Sequence, residues 1–184
     1  MNLIGEENLN QLESWTYLKF QKVLNVTRCS KVKCYEDFEK FFDAGVMLKN
    51  IAFVIENEEG DLFGFYHSEE IPLNSLVYSD WFPAQMCPGY DSFHFVFKSN
   101  NIPESMKYRI KDIQNGFKVN LTQRSCVTVV HLGDIWIQYD YDCTNEITMC
   151  TDWCKYTFDY QGKTQPFGPN ETSPPKRLMV FQMG

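Results

Sequence analysis

The sequence predicts an α+β domain, mainly an antiparallel two-sheet β-sandwich flanked by a few helices. Three observations predict it. Short apolar runs alternate with polar residues at the period of a strand. Glycine- and acid-broken turns separate those runs at hairpin spacing. Helical spacing is confined to two segments near the start of the chain.

The first helix is predicted over 6–15, "EENLNQLESW", where Leu9, Leu12 and Trp15 share one face and Glu6 and Glu7 suit the helix dipole. "YLKFQKVLNV" follows as a strand with Leu18, Phe20 and Leu24 inward. "CYEDFEKFFDAG", 34–45, reads as a second short helix, with Phe38, Phe41 and Phe42 as its apolar stripe and Gly45 as its stop. "NIAFVIENEEGDLFGFYH" is two apolar runs about a polar turn, a hairpin whose first strand is apolar on both faces. Gly64 lies inside the returning strand, where a glycine marks a bulge or a close backbone approach. The glycine spacing of a phosphate loop is absent there.

The stretch 72–92 holds three prolines and reads as a long loop. "SFHFVFK" is a strand with Phe93, Phe95 and Phe97 on one face and His94 and Val96 on the other. Cys126–His131 and Ile135–Asp140 form a second hairpin about Leu132-Gly133-Asp134. "KYTFDYQG" and "RLMVFQM" are the remaining strands, the last apolar on both faces and so expected inside a sheet. No repeat, linker or low-complexity segment divides the chain, and a single domain is expected over 1–184 with its core at about 9–183.

At 184 residues such a domain needs no metal or disulfide to build its core. The residues are 43% hydrophobic and 16% aromatic, too apolar for a disordered chain. A net charge of −7 repels phosphate backbones at long range and disfavours general nucleic-acid binding. The N-terminus lacks the basic and apolar regions of a signal peptide, and no run approaches a membrane span. An intracellular, cytoplasmic protein is expected. Its seven cysteines are then reduced thiols, and its three Asn-x-Thr sequons carry no glycan.

Candidate chemistry is sparse. Cys143, Cys150 and Cys154 lack the two closely spaced pairs of a structural zinc site, and neither metal nor cofactor is expected. A reactive thiol needs nearby cations, which selects Cys29 beside Arg28 and Lys31, Cys34 near Lys31 and Lys33, and Cys154 beside Lys155. His67, His94 and His131 sit in strand patterns, where a histidine is more often structural than catalytic, and no hydrolase motif appears. No catalytic residue is assigned. The aromatic stretch 78–93 supplies Tyr78, Trp81, Phe82, Met86 and Tyr90 as candidate partner contacts, since such residues are enriched in interfaces.

In order and spacing, "LESWT", "NIAFVIENEEGDLFGFY", "SFHFVFK", "GDIWIQYDYD" and "WCKYTFDYQG" with "KRLMVFQM" resemble the TLDc (TBC, LysM domain-containing) family of oxidation-resistance proteins. Trp15, Phe63, Gly64, Phe93, Phe95, Gly133, Trp136 and Arg177 carry the resemblance, which departs from the family pattern at Phe65 and Met179. It implies a compact sandwich flanked by helices. It also implies a role in the oxidative-stress response through protein contact, with a subunit of the vacuolar proton pump (V-ATPase) as one partner. A non-enzymatic interaction domain is therefore expected. The alternatives are a thiol-based antioxidant or redox sensor and a DNA-binding stress regulator.

Overall fold

A computed structural model describes residues 3–33, 35–71, 89–111, 117–120, 127–140, 146–151, 158–168 and 174–184. Two antiparallel sheets make up the described part of the chain. The first runs β1(Phe20–Arg28), β10(Pro175–Met183), β2(Ile51–Asn57), β3(Leu62–His67), β4(Phe93–Val96), β5(Met106–Arg109) from edge to edge. The second runs β6(Phe117–Asn120), β7(Val127–Leu132), β8(Ile135–Asp140), β9(Glu146–Cys150). Helices α1(Glu6–Thr16) and α2(Tyr35–Asp43) flank them. This is the α+β sandwich that the apolar alternation predicts.

The pleat divides the six-stranded sheet into two apolar faces. Ile51, Phe53 and Ile55 of β2 point to one side, where Ile135, Ile137 and Tyr139 of β8 and Phe38 and Phe41 of α2 complete a core between the sheets. Ala52 and Val54 point to the other side, with Phe93, Phe95 and Phe97. Helix α1 covers that outer face, burying Leu12 and laying Trp15 parallel to Phe97 at 5.8 Å between centroids. Each fully buried phenylalanine contributes roughly 1.5–3 kcal/mol, so the two faces together dominate the stability of the fold. Strand β10 is inside the sheet, as its two apolar faces require, between β1 and β2.

In the first hairpin Phe53 pairs with Phe65 and Val54 with Gly64. A Cβ on Gly64 would fall 1.9 Å from the Phe53 carbonyl oxygen and 2.9 Å from the Phe95 ring. The close approach expected of this glycine is therefore present, and its cause is the ladder and the ring above it. Arg177, opposite Glu56 in the β10–β2 register, donates from Nε to Glu56 Oε2 at 2.6 Å and from Nη2 to the Leu3 carbonyl at 3.1 Å. That arginine ties the strand pair to the segment before α1.

Three details differ from expectation. Leu132 joins β7 and pairs with Ile135, so the second hairpin turns on Gly133-Asp134 alone. Of "KYTFDYQG", the described residues form no strand: Phe158 makes an isolated bridge to Ile110, and the chain then turns at Gln161 (φ 54°) and Gly162 (φ 78°). Strands β5, β6 and β9 add to the set expected. Among the described residues no helix is long and apolar enough to cross a membrane, and no three metal-ligating side chains gather.

Candidate functional site

A cleft of about 660 Å³ opens at the end of the six-stranded sheet, on the face that carries α1. Five separate segments build it. The end of α1 supplies Trp15 and, one residue beyond the helix, Tyr17, held at φ 59°. The approach to β2 supplies Lys49 and Asn50, and the end of β3 supplies Tyr66. The turn into β4 supplies Tyr90, and β5 supplies Lys107 and Arg109. In the β4–β5 register Lys107 lies opposite Phe95 and Arg109 opposite Phe93, which puts both cations on the α1 side.

The walls are held by specific bonds. Tyr66 donates its hydroxyl proton to Asn50 Oδ1 at 2.9 Å. Lys107 donates to the Trp15 carbonyl at 2.8 Å, and its ammonium stands 4.2 Å from the centroid of the Phe93 ring. Burial and the like charge of Arg109 lower the pKa of Lys107, with Asp91 opposing them. The rim is aromatic and open: Tyr17 is 92% exposed and Tyr90 70% exposed.

Behind the cleft, Ser92 Oγ accepts the Ser68 backbone N–H at 3.3 Å. The same oxygen lies within hydrogen-bond distance of His67 Nδ1, at 3.2 Å. The pairing has the outline of a nucleophile with its base. Burial drives the His67 pKa down to about 4, so the ring is a poor proton acceptor near neutral pH. His67 and Ser92 are both buried, and their bonds pin the ends of β3 and β4 together.

No protein-family model matches the chain, and no curated protein matches it.

Of the sequence-selected thiols, Cys29 is the one among the described residues. Cys29 begins a 3-10 turn, Cys29–Lys31, at the end of β1. Burial, followed by the charge of Glu58, pushes its pKa up to about 12. Desolvation and a carboxylate from the β2–β3 turn thus act on Cys29 in the direction opposite to activation. Cys34 and Cys154 lie outside the described residues, as do Tyr78, Trp81, Phe82 and Met86.

Trp15 and Phe93 of the resemblance line the cleft, and Phe95 lies beneath Trp15 at 6.2 Å. Phe63 and Gly64 belong to the central hairpin, Trp136 is half-buried on β8, and Arg177 makes the Glu56 bond. Gly133 serves a different place. It adjoins His94, which is fully buried between the sheets, and it precedes Asp134, whose carboxylate accepts a hydrogen bond from Tyr160 at 2.8 Å. Sequence reasoning missed Tyr17, Lys107 and Arg109. The available signal was the alternation in "MKYR", whose Lys and Arg fall on the face opposite the buried Tyr108.

Proposed function

We propose that this chain is a non-enzymatic protein-interaction domain of TLDc type, working in the oxidative-stress response, and that a V-ATPase subunit is a partner. The ordered motifs from Trp15 to Arg177 support the family reading, and the two-sheet sandwich has the architecture the resemblance implies. The observation that carries the interaction reading is the pair of exposed tyrosines, Tyr17 and Tyr90, on the rim of a wide cleft. Most described aromatic side chains are spent on the two cores, whereas these two face solvent beside Lys49 and Arg109. Tyrosine with cationic neighbours is the composition of interface hot spots. The buried, low-pKa His67 supports a binding rather than a hydrolytic use of the cleft. The raised thiol of Cys29 counts against Cys29 as a redox sensor.

The test is binding of purified V-ATPase to the folded chain, compared with the double variant Tyr17→Ala/Tyr90→Ala. Each truncated hot-spot residue is expected to weaken binding by about 1–2 kcal/mol, with the melting temperature of the exposed-site variant unchanged. No binding by the unaltered chain removes the pump as a partner. Undiminished binding by the double variant removes the cleft rim as the contact.

A further inference from the structure

We propose that the outer edge of β1 binds an acidic, extended segment of another protein, which pairs with it as an added strand of the sheet.

The edge comes first. Strand β1 ends the six-stranded sheet, with β10 on one side and, among the described residues, no strand on the other. A terminal strand turns a row of N–H and C=O groups outward. The Phe20 N–H is taken by Glu13 Oε1 at 3.0 Å, which closes the edge at its start. From Gln21 to Arg28 the backbone bonds to β10 and, among the described residues, to no other group. Val23 and Val26 are exposed on the same strand, and β-branched side chains are the ones that gain from a cross-strand neighbour. Register shifts between Phe20 and Lys22 and between Val23 and Asn25 bend its first half. Asn25 to Arg28 then run in unbroken register with β10, a length that suits one short strand rather than a second sheet.

Charge decides the occupant. Five of the chain's 17 Lys and Arg fall between residues 14 and 35, and none of its 24 Asp and Glu do. Lys19 is engaged by Glu13. Lys22 and Arg28 on the strand, and Lys31 and Lys33 just past it, are exposed and make no ion pair among the described residues. The acids that come near, Glu13 at one end and Glu58 beside Cys29 at the other, flank the strand and do not lie on it. In a protein of net charge −7 this edge is a local cationic strip, complementary to carboxylates.

The same charge turns away a second copy of the chain. Antiparallel pairing of β1 with itself would set Lys22 and Arg28 against a strand that offers no carboxylate. A nucleic acid would answer the cations but leave the backbone edge and the two valines unused. None of residues 20–28 lines the cleft, so this surface is separate from the tyrosine rim and does not depend on it.

The probe is a fluorescein-labelled peptide of alternating Glu and Val, as long as the strand, with an alternating Lys and Val peptide as its control. Fluorescence polarisation of the unaltered chain is expected to show the acidic peptide binding about tenfold or more tighter than the basic one, and more weakly as salt is added. Lys22→Glu/Arg28→Glu, two exposed positions, should reverse that preference with the melting temperature unchanged. Deuterium exchange of the amides of residues 20–28 should slow when the acidic peptide binds the unaltered chain, a readout that stands even if the variant fails to fold. Equal binding of the two peptides, or an unreversed preference in the folded variant, overturns the charge argument. Binding without protection of 20–28 overturns strand addition. Tighter binding of a single-stranded oligothymidylate than of the acidic peptide, or self-association of the unaltered chain that the peptide disperses, replaces the proposed occupant with a nucleic acid or a second copy.

Discussion

A Cβ placed on Gly133 would lie 2.4 Å from Nε2 of His94 and 2.5 Å from the Phe158 ring. The β7–β8 turn therefore passes directly over the imidazole. Its three residues do three things: Leu132 accepts from Nε2, Gly133 leaves room for the ring, and Asp134 accepts from Tyr160. Gly133 also holds φ at 62°, which an L side chain adopts at a cost. Gly133→Ala is expected to lose roughly 3 kcal/mol of stability through strain and overpacking combined. Urea denaturation measures it, and a loss below that of an ordinary loop substitution would refute the close approach.

Gly64→Ala and Gly60→Ala separate collision from conformation. The first puts a methyl 1.9 Å from the Phe53 carbonyl oxygen, inside the central ladder, with no strained φ to blame. The second has nothing within 4 Å but holds φ at 87°. Gly64→Ala should cost about 3 kcal/mol or more, and Gly60→Ala about 1 kcal/mol. Equal losses in matched denaturation curves would show that backbone freedom, not space, is what both positions need.

Both described histidine side chains make the fold acid-sensitive. Unfolded histidine titrates near 6.5, whereas burial lowers His67 to about 4 and His94 to about 3. Below pH 6.5 the unfolded chain binds protons that the folded chain refuses, so stability is full above 6.5 and falls as the pH drops toward those values. By pH 4 each histidine removes on the order of 3 kcal/mol. The stability difference between pH 7 and pH 4 should shrink by that amount in His67→Gln, with the carboxylates cancelling in the comparison. An unchanged difference would mean that His67 takes up its proton in the folded state.

Cys29 should be inert in the folded protein. With its pKa at about 12, almost none of it is thiolate at pH 8. Maleimide labelling followed by peptide mass mapping is expected to show Cys29 reacting far more slowly in the native chain than in denaturant. Comparable rates would restore it as a redox candidate.

Trp15 closes the outer face. It packs on Phe93, Phe95 and Phe97 and offers its carbonyl to Lys107. Trp15→Ala is expected to lose about 2 kcal/mol, less than a fully buried aromatic because Trp15 is only partly buried. A small loss in thermal unfolding would place α1 outside the cooperative unit.

Which parts of this were legible follows from the range of the forces involved. The hairpin 51–67, both helices and the interior position of β10 are encoded by local alternation and turn residues, and the structure agrees on them. Strands β5, β6 and β9 were not read, because "MKYR", "FKVN" and "EITMC" are short and half polar, and pairing partners define them. The surroundings of Cys29 show the same limit: Arg28 and Lys31 are its neighbours along the chain, but Glu58 is the charge that reaches it through the fold. The cleft joins five segments, and the contacts of Tyr160 join residues 26 and 66 positions apart, so neither leaves a motif in one dimension.

The place of β10 sets a schedule. Residues 20–28 and 51–57 emerge early in synthesis, yet they never touch as a ladder, because residues 175–183 lie between them. Until that late segment has been made, β1 has no neighbour and β2 presents a bare apolar edge. A ribosome stalled before residue 175 would therefore display a sticky, unzipped sheet, and chaperones that shield unpaired edges are the factors such a nascent chain should recruit.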